Sequence, residues 1–123
     1  MVENYSREGR GFRELLIWQR AHEMTLAVYD LTKDFPPEEK YGLTSQMRRA
    51  ASSVPANIVE GYATGQGNFK RHLLIAKGSL TEVEYFLILA KDLSYASFDK
   101  IKTVEKLRAQ TGYLLYRFMK SMK

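Results

Sequence analysis

The sequence predicts an all-α protein, an antiparallel up-down-up-down four-helix bundle over residues 12–123 behind a flexible arm at residues 1–11. Three observations lead there. Four segments carry apolar residues spaced alternately by three and four, the period of one helix face. The breaks between them are short and marked by proline, glycine or serine, so consecutive helices turn back against one another. No stretch of alternating apolar and polar residues competes as a strand. A chain of 123 residues is one domain, long enough to bury about two thirds of its unfolded surface around a single core.

The arm, MVENYSREGRG, is polar, carries charges of both signs and shows no periodicity. The first helix then sets Ile17, Ala21, Met24, Val28, Leu31 and Phe35 on one seam. Pro36-Pro37 ends it, because the residue before a proline leaves α geometry. Glu38 and Glu39 suit the approach to the next helix N-terminus.

The central helix, GLTSQMRRAASSVPANIVEG, carries two patterns on one period. Leu43, Met47, Ala50, Ala51, Val54 and Ile58 form its core stripe. Beside them run Gln46, Arg49, Ser53, Asn57 and Glu60. Burying such groups unpaired costs about 1–3 kcal/mol each, so the line is expected to meet a neighbouring helix or subunit. Arg48, Ser52 and Val59 point away, toward solvent. Pro55 removes the amide that would bond the Ala51 carbonyl, so the helix should kink there, with the Ser52 and Ser53 hydroxyls available for freed carbonyls. Gly61 supplies the stop.

After a connector, YATGQGN, and Asn68 as an N-cap, the third helix places Phe69, Leu73, Ala76, Leu80, Val83, Leu87 and Ala90 on an unbroken seam. Its end is apolar on several faces. Tyr85, Phe86, Ile88 and Leu89 lie off the seam, which calls for a second partner, either in this domain or in another subunit. Ser94 to Ser97 break the pattern and Asp99 can cap. Val104, Leu107, Thr111, Leu114 and Phe118 make the fourth seam. The packing angle expected for such neighbours is about +20°.

Charge is uneven. The net is +5, yet residues 100–123 hold seven basic side chains against Glu105 alone, leaving the rest of the chain near neutral. Lys100, Lys102, Lys106, Arg108, Arg117, Lys120 and Lys123, interleaved with Tyr113 and Tyr116, are the first candidate for contact with a polyanion. Arg48, Lys70, Arg71 and Lys77 form a second patch on the central and third helices. Gln46, Arg49, Ser53, Asn57, Glu60, Tyr85, Phe86 and Leu89 are the expected oligomer interface.

Signals for chemistry are sparse. His22-Glu23 begins like a zinc-protease helix, but Leu26 stands where the second histidine is required. Two histidines, read as surface or edge residues, and no cysteine make a zinc site an unsupported reading. Gly65-Gln66-Gly67-Asn68 is neither a Rossmann fingerprint nor a P-loop, since no strand precedes it and no Gly-Lys-Ser/Thr follows. Glu82 and Glu84, two apart on a helix, do not share a face. No cofactor, metal or catalytic residue is expected. The longest apolar run, Tyr85 to Ala90, is far too short to span a bilayer. A cytoplasmic protein is the default expectation.

FRELLIW from Phe12, Phe35-Pro36, YGLTSQMRRAASSVPANIVEG from Tyr41 and IAKGSLTEVEYFLILA from Ile75 together resemble the four-helix-bundle proteins encoded in intervening sequences of bacterial 23S rRNA genes. The accessory variability proteins of diversity-generating retroelements are similar to these in fold. The resemblance covers about residues 12 to 95 and implies a homopentameric, barrel-like assembly without known catalytic activity. For the retroelement branch it implies binding of nucleic acid and reverse transcriptase. The function expected is thus a non-enzymatic oligomeric module that binds RNA or other nucleic acid through basic helix faces. The alternative is a scaffold for a protein partner at the apolar surface from Tyr85 to Leu89. A membrane-surface role is disfavoured because the C-terminal helix spends its large apolar residues on the core seam.

Overall fold

The computed structural model describes residues 11–122, so the expected arm, apart from Gly11, and the last lysine lie outside the described residues. A short 3-10 turn, Gly11–Glu14, leads into α1 (Leu16–Thr32). A second, Pro37–Glu39, precedes α2 (Leu43–Thr64), and α3 (Gln66–Asp92) and α4 (Phe98–Lys120) complete the bundle. Each helix packs on the next and α4 closes on α1, giving an antiparallel square of four around one core. Among the described residues there is no strand, and no helix is long and apolar enough to cross a membrane.

The predicted seams are the core. Every apolar seam position of the first three helices is buried, with Met24, Val28, Leu31, Met47, Val54, Ile58, Leu73 and Val83 sealed from solvent. In α4 the spacing slips by one residue after Thr111. Leu115 is the buried leucine there, while Leu107, Leu114 and Phe118 are half-buried against the cluster.

Pro55 lies inside a continuous α2, and the carbonyl it leaves without an amide is met from another helix. Thr25 of α1 is buried, and its hydroxyl lies 3.1 Å from the Ala51 carbonyl and 2.9 Å from that of Ala21. The hydroxyl has one proton, shared between the two acceptors. The adjacent serines do other things: Ser52 donates to the Arg49 carbonyl, and Ser53 pairs with Ser79 of α3.

Gly61 is not the stop. The helix runs on to Thr64 because Gly61 serves close approach: a Cβ there would lie 2.8 Å from Phe69 Cδ1 and 2.9 Å from His72 Cβ. The turn falls on Gly65 alone, with φ +96, and the expected seven-residue connector is otherwise helical. Asn68 sits within the first turn of α3 rather than at its cap. In α4 the cap is Ser97, whose hydroxyl accepts the Lys100 amide at 3.2 Å, and Asp99 occupies the first turn.

Glu39 ties three segments together. One carboxylate oxygen accepts the Leu43 amide at 2.9 Å at the start of α2, and the other accepts the Tyr95 hydroxyl at 2.8 Å from the α3–α4 turn. The Leu43 amide and then the Tyr95 hydroxyl hold the Glu39 carboxyl below its ordinary value. The same bond to Glu39 holds the Tyr95 hydroxyl above its own.

Candidate functional site

The basic residues divide into those that hold the bundle and those that face outward. Lys100 bonds Asp34 at 3.0 Å and approaches Asp30 at 3.5 Å, joining α4 to α1. Arg108 makes a fork onto Glu105, at 2.8 and 2.6 Å, with Glu84 of α3 at 3.8 Å. Only 16% of its side chain is exposed, and the Glu105 carboxylate holds the guanidinium in its charged form. Arg48, expected to reach a ligand, lies instead across α1: Nε donates to Thr32 Oγ1 at 2.8 Å and the guanidinium sits 4.5 Å from the Tyr29 ring centroid. Arg48 and Arg108, both in the predicted binding set, thus have donors engaged within the chain, through Nε and Nη2.

The remaining α4 cations make a stripe. At about 100° per residue, Lys102, Lys106, Tyr113, Tyr116, Arg117 and Lys120 fall within one arc of α4, and all are exposed. None of these four cations has a carboxylate partner among the described residues. Each tyrosine carries a cation: Arg117 lies 5.8 Å from the Tyr113 ring centroid and Lys120 lies 5.7 Å from that of Tyr116. The two tyrosines remain 60% and 59% exposed.

This stripe borders a groove of about 540 Å³ between α3 and α4. Leu80 of α3 and Gly112, Leu115 and Met119 of α4 line it with apolar surface, beside Thr81. Lys70 and Lys77 of α3 stand on one side, with Lys120 and Tyr116 on the other and Arg108 at one end. Lys70 and Lys77 of the second patch thus meet Lys120 of the first along one groove. Arg71 stays outside the groove lining; it is exposed one residue on from Lys70. Gly112 is the residue that reading the sequence missed. A glycine inside a helix costs about 0.5–1 kcal/mol relative to alanine, and that cost, in a segment otherwise rich in helix formers, was the available signal.

The polar line on α2 also finds partners within the chain. Arg49 Nη2 bonds Glu82 at 2.9 Å while sharing Gln46 Oε1, and Ser53 bonds Ser79 at 2.9 Å. Asn57 Nδ2 donates to the Ser53 carbonyl, which turns Oδ1 toward His72 Nδ1 at 2.9 Å and makes that ring nitrogen the donor. Glu60 stands 3.8 Å from the same nitrogen. The partner of this line is α3 of the same chain, since α2 and α3 pack closely at Gly61. His72 is buried rather than superficial, and His22 stacks on Trp18 at 5.0 Å.

Of the apolar residues expected at an interface, Phe86 and Leu89 pack half-buried on the core while Tyr85 is 56% exposed. Leu74 and Ile88 share its helix face and are also exposed, with Lys77 and Thr81 between Leu74 and Tyr85 on the same face.

Residues 13–117 match the sequence profile of the 23S rRNA-intervening sequence protein family. Among solved structures, the chain is similar to a protein of unknown function from the S23 ribosomal protein family of Bacteroides thetaiotaomicron. The two are 23% identical, the match covers 86% of this chain and 96% of that one, and the TM-score is 0.78. At that identity the likeness shows the fold. No curated protein matches the sequence.

Proposed function

This chain belongs to the 23S rRNA-intervening sequence protein family, and on that premise we propose that it is a non-enzymatic, oligomeric module that binds nucleic acid. The observation that carries this reading is the α4 stripe. Lys102, Lys106, Arg117 and Lys120 share one arc, are exposed and have no carboxylate partner among the described residues, whereas Lys100 and Arg108 are neutralised by Asp30, Asp34, Glu84 and Glu105. Lysine and arginine side chains in a row meet phosphates without reading bases, so binding is sequence-independent and salt-sensitive. A closed homo-oligomer, pentameric by family resemblance, repeats the stripe and raises avidity without a new kind of contact.

Titration of labelled RNA and DNA at about 50 mM salt tests it, where electrostatic binding is strongest. Changing Lys102, Lys106, Arg117 and Lys120 to Gln should weaken binding and flatten the slope of log affinity against log salt by about three. Circular dichroism should show the fold unchanged. Absence of binding to any strand or duplex at that salt refutes the proposal. A second reading, a scaffold for a partner protein, is supported by exposed Tyr85 and Ile88 on α3; it predicts a stoichiometric protein partner that survives nuclease treatment.

A further inference from the structure

Taking the α3–α4 face as the nucleic-acid surface, we propose that its groove is a seat for an unstacked base, so that the protein takes single-stranded polynucleotide in preference to duplex. The stripe alone would serve either form, since both present phosphates. The groove does not. Its floor is apolar, formed by Leu80, Leu115 and Met119 where Gly112 contributes no side chain, and a volume of about 540 Å³ is roomy enough for a nucleobase with its sugar. In a duplex the base faces are stacked and only phosphates and base edges reach a protein, leaving such a floor empty. A single strand can turn a base inward while its phosphates stay on the rim.

Charge and aromatic placement favour that occupant. Lys70, Lys77 and Lys120 surround the opening as point charges suited to phosphate. Tyr116 stands among them with its ring largely exposed and the Lys120 ammonium 5.7 Å from its centroid, which offers a base a stacking surface beside a cation. At the other end Arg108 is occupied by Glu105 and Glu84, whose carboxylates repel phosphate. A strand therefore enters beside Lys70 and Lys120, where the N-terminal part of α3 meets the C-terminal part of α4.

Fluorescence anisotropy separates this inference from the broader one. The probes are a single strand of about 16 nucleotides, as RNA and as DNA, its blunt duplex, and the same strand with abasic sites. The base-bearing single strands should bind more tightly than the duplex and the abasic strand. Tyr116→Leu should weaken single-strand binding about 5- to 150-fold, the effect of losing one base–aromatic stack, while Tyr116→Phe should bind as the parent does. Gly112→Leu, whose Cβ would lie 3.3 Å from Leu80 Cδ2, fills the floor without changing charge and should weaken the same probes. Thermal melting establishes that each variant folds. If duplex and abasic strand bind as tightly as the intact strand, or if neither Tyr116→Leu nor Gly112→Leu changes affinity, the base seat is wrong even where the stripe variant still loses binding. Failure of every probe to bind removes both readings.

Discussion

Replacing Thr25 by valine keeps the shape of a buried side chain and deletes the hydroxyl that reaches the Ala51 carbonyl at 3.1 Å. The Ala21 carbonyl also loses this contact, but it keeps its own amide from the α1 backbone. The Ala51 carbonyl has no such reserve, because the residue four ahead is Pro55. Ala51 is sealed from solvent, so an unmet acceptor there costs about 1–3 kcal/mol. For a domain of this size that lowers the melting temperature by about 4–12 °C. Restoring the amide with Pro55→Ala gives the carbonyl a partner within its own helix. In that background Thr25→Val should cost at least about 1 kcal/mol less, a coupling that a double-mutant cycle isolates from the lost burial of the proline ring. Thermal unfolding followed by circular dichroism at one fixed protein concentration measures all four corners, since assembly would make the midpoint depend on concentration. Additivity within about 0.5 kcal/mol would show that Thr25 does not compensate the proline.

Two glycines should respond in opposite directions. Gly61→Ala drives a methyl into Phe69 and His72 and should destabilise by about 1–3 kcal/mol despite better helix propensity; Gly78→Ala, with nothing within 4 Å of its Cβ, should stabilise by about 0.5–1 kcal/mol. A higher melting temperature for Gly61→Ala would overturn the close-approach argument. The pH dependence of stability should carry the Glu39 bond. Its folded pKa lies below the unfolded one, so the contribution is present above the ordinary carboxylate range and is lost as pH falls through the lowered value. Glu39→Gln should accordingly flatten the acid limb of urea-unfolding stability, and an unchanged limb counts against the assignment. Self-association is expected through the outside of α3. Light scattering at micromolar concentration should give a multiple of the single-chain mass, and Tyr85→Lys with Ile88→Lys should reduce it; a parent protein with the mass of one chain refutes the interface.

The fold was legible because periodicity reports burial directly. The seam positions from Ile17 to Phe35 and from Phe69 to Ala90 repeat at the helical period without interruption, and each of them is buried. Punctuation was harder, since glycine has two uses. Gly61 looks like a stop and Gly65 like part of a flexible connector in the sequence, yet the first allows two helices to touch and the second alone supplies the turn. Which use applies depends on what lies across the gap. For Gly61 that is Phe69 and His72, residues of the following helix. The same limit applies to the Ala51 carbonyl: its need for a donor follows from Pro55, but Thr25 is thirty positions before the proline and becomes the donor only once α1 lies against α2.

Charge was legible as a total and illegible as a site for the same reason. Lys100 and Arg108 are indistinguishable in sequence from Lys102 and Lys106, and each stands on the same helix. Packing sorts them: α1 presents Asp30 and Asp34 to Lys100, while α3 presents Glu84 to Arg108 beside its own neighbour Glu105. The arc that carries Lys102, Lys106, Arg117 and Lys120 meets no carboxylate among the described residues, so its cations stay available to an outside partner. The bundle's own ion pairs therefore delimit the proposed binding face by subtraction. Substitutions confined to that arc should lower polyanion binding in a salt titration, and they leave untouched the pairs that join α4 to α1 and α3.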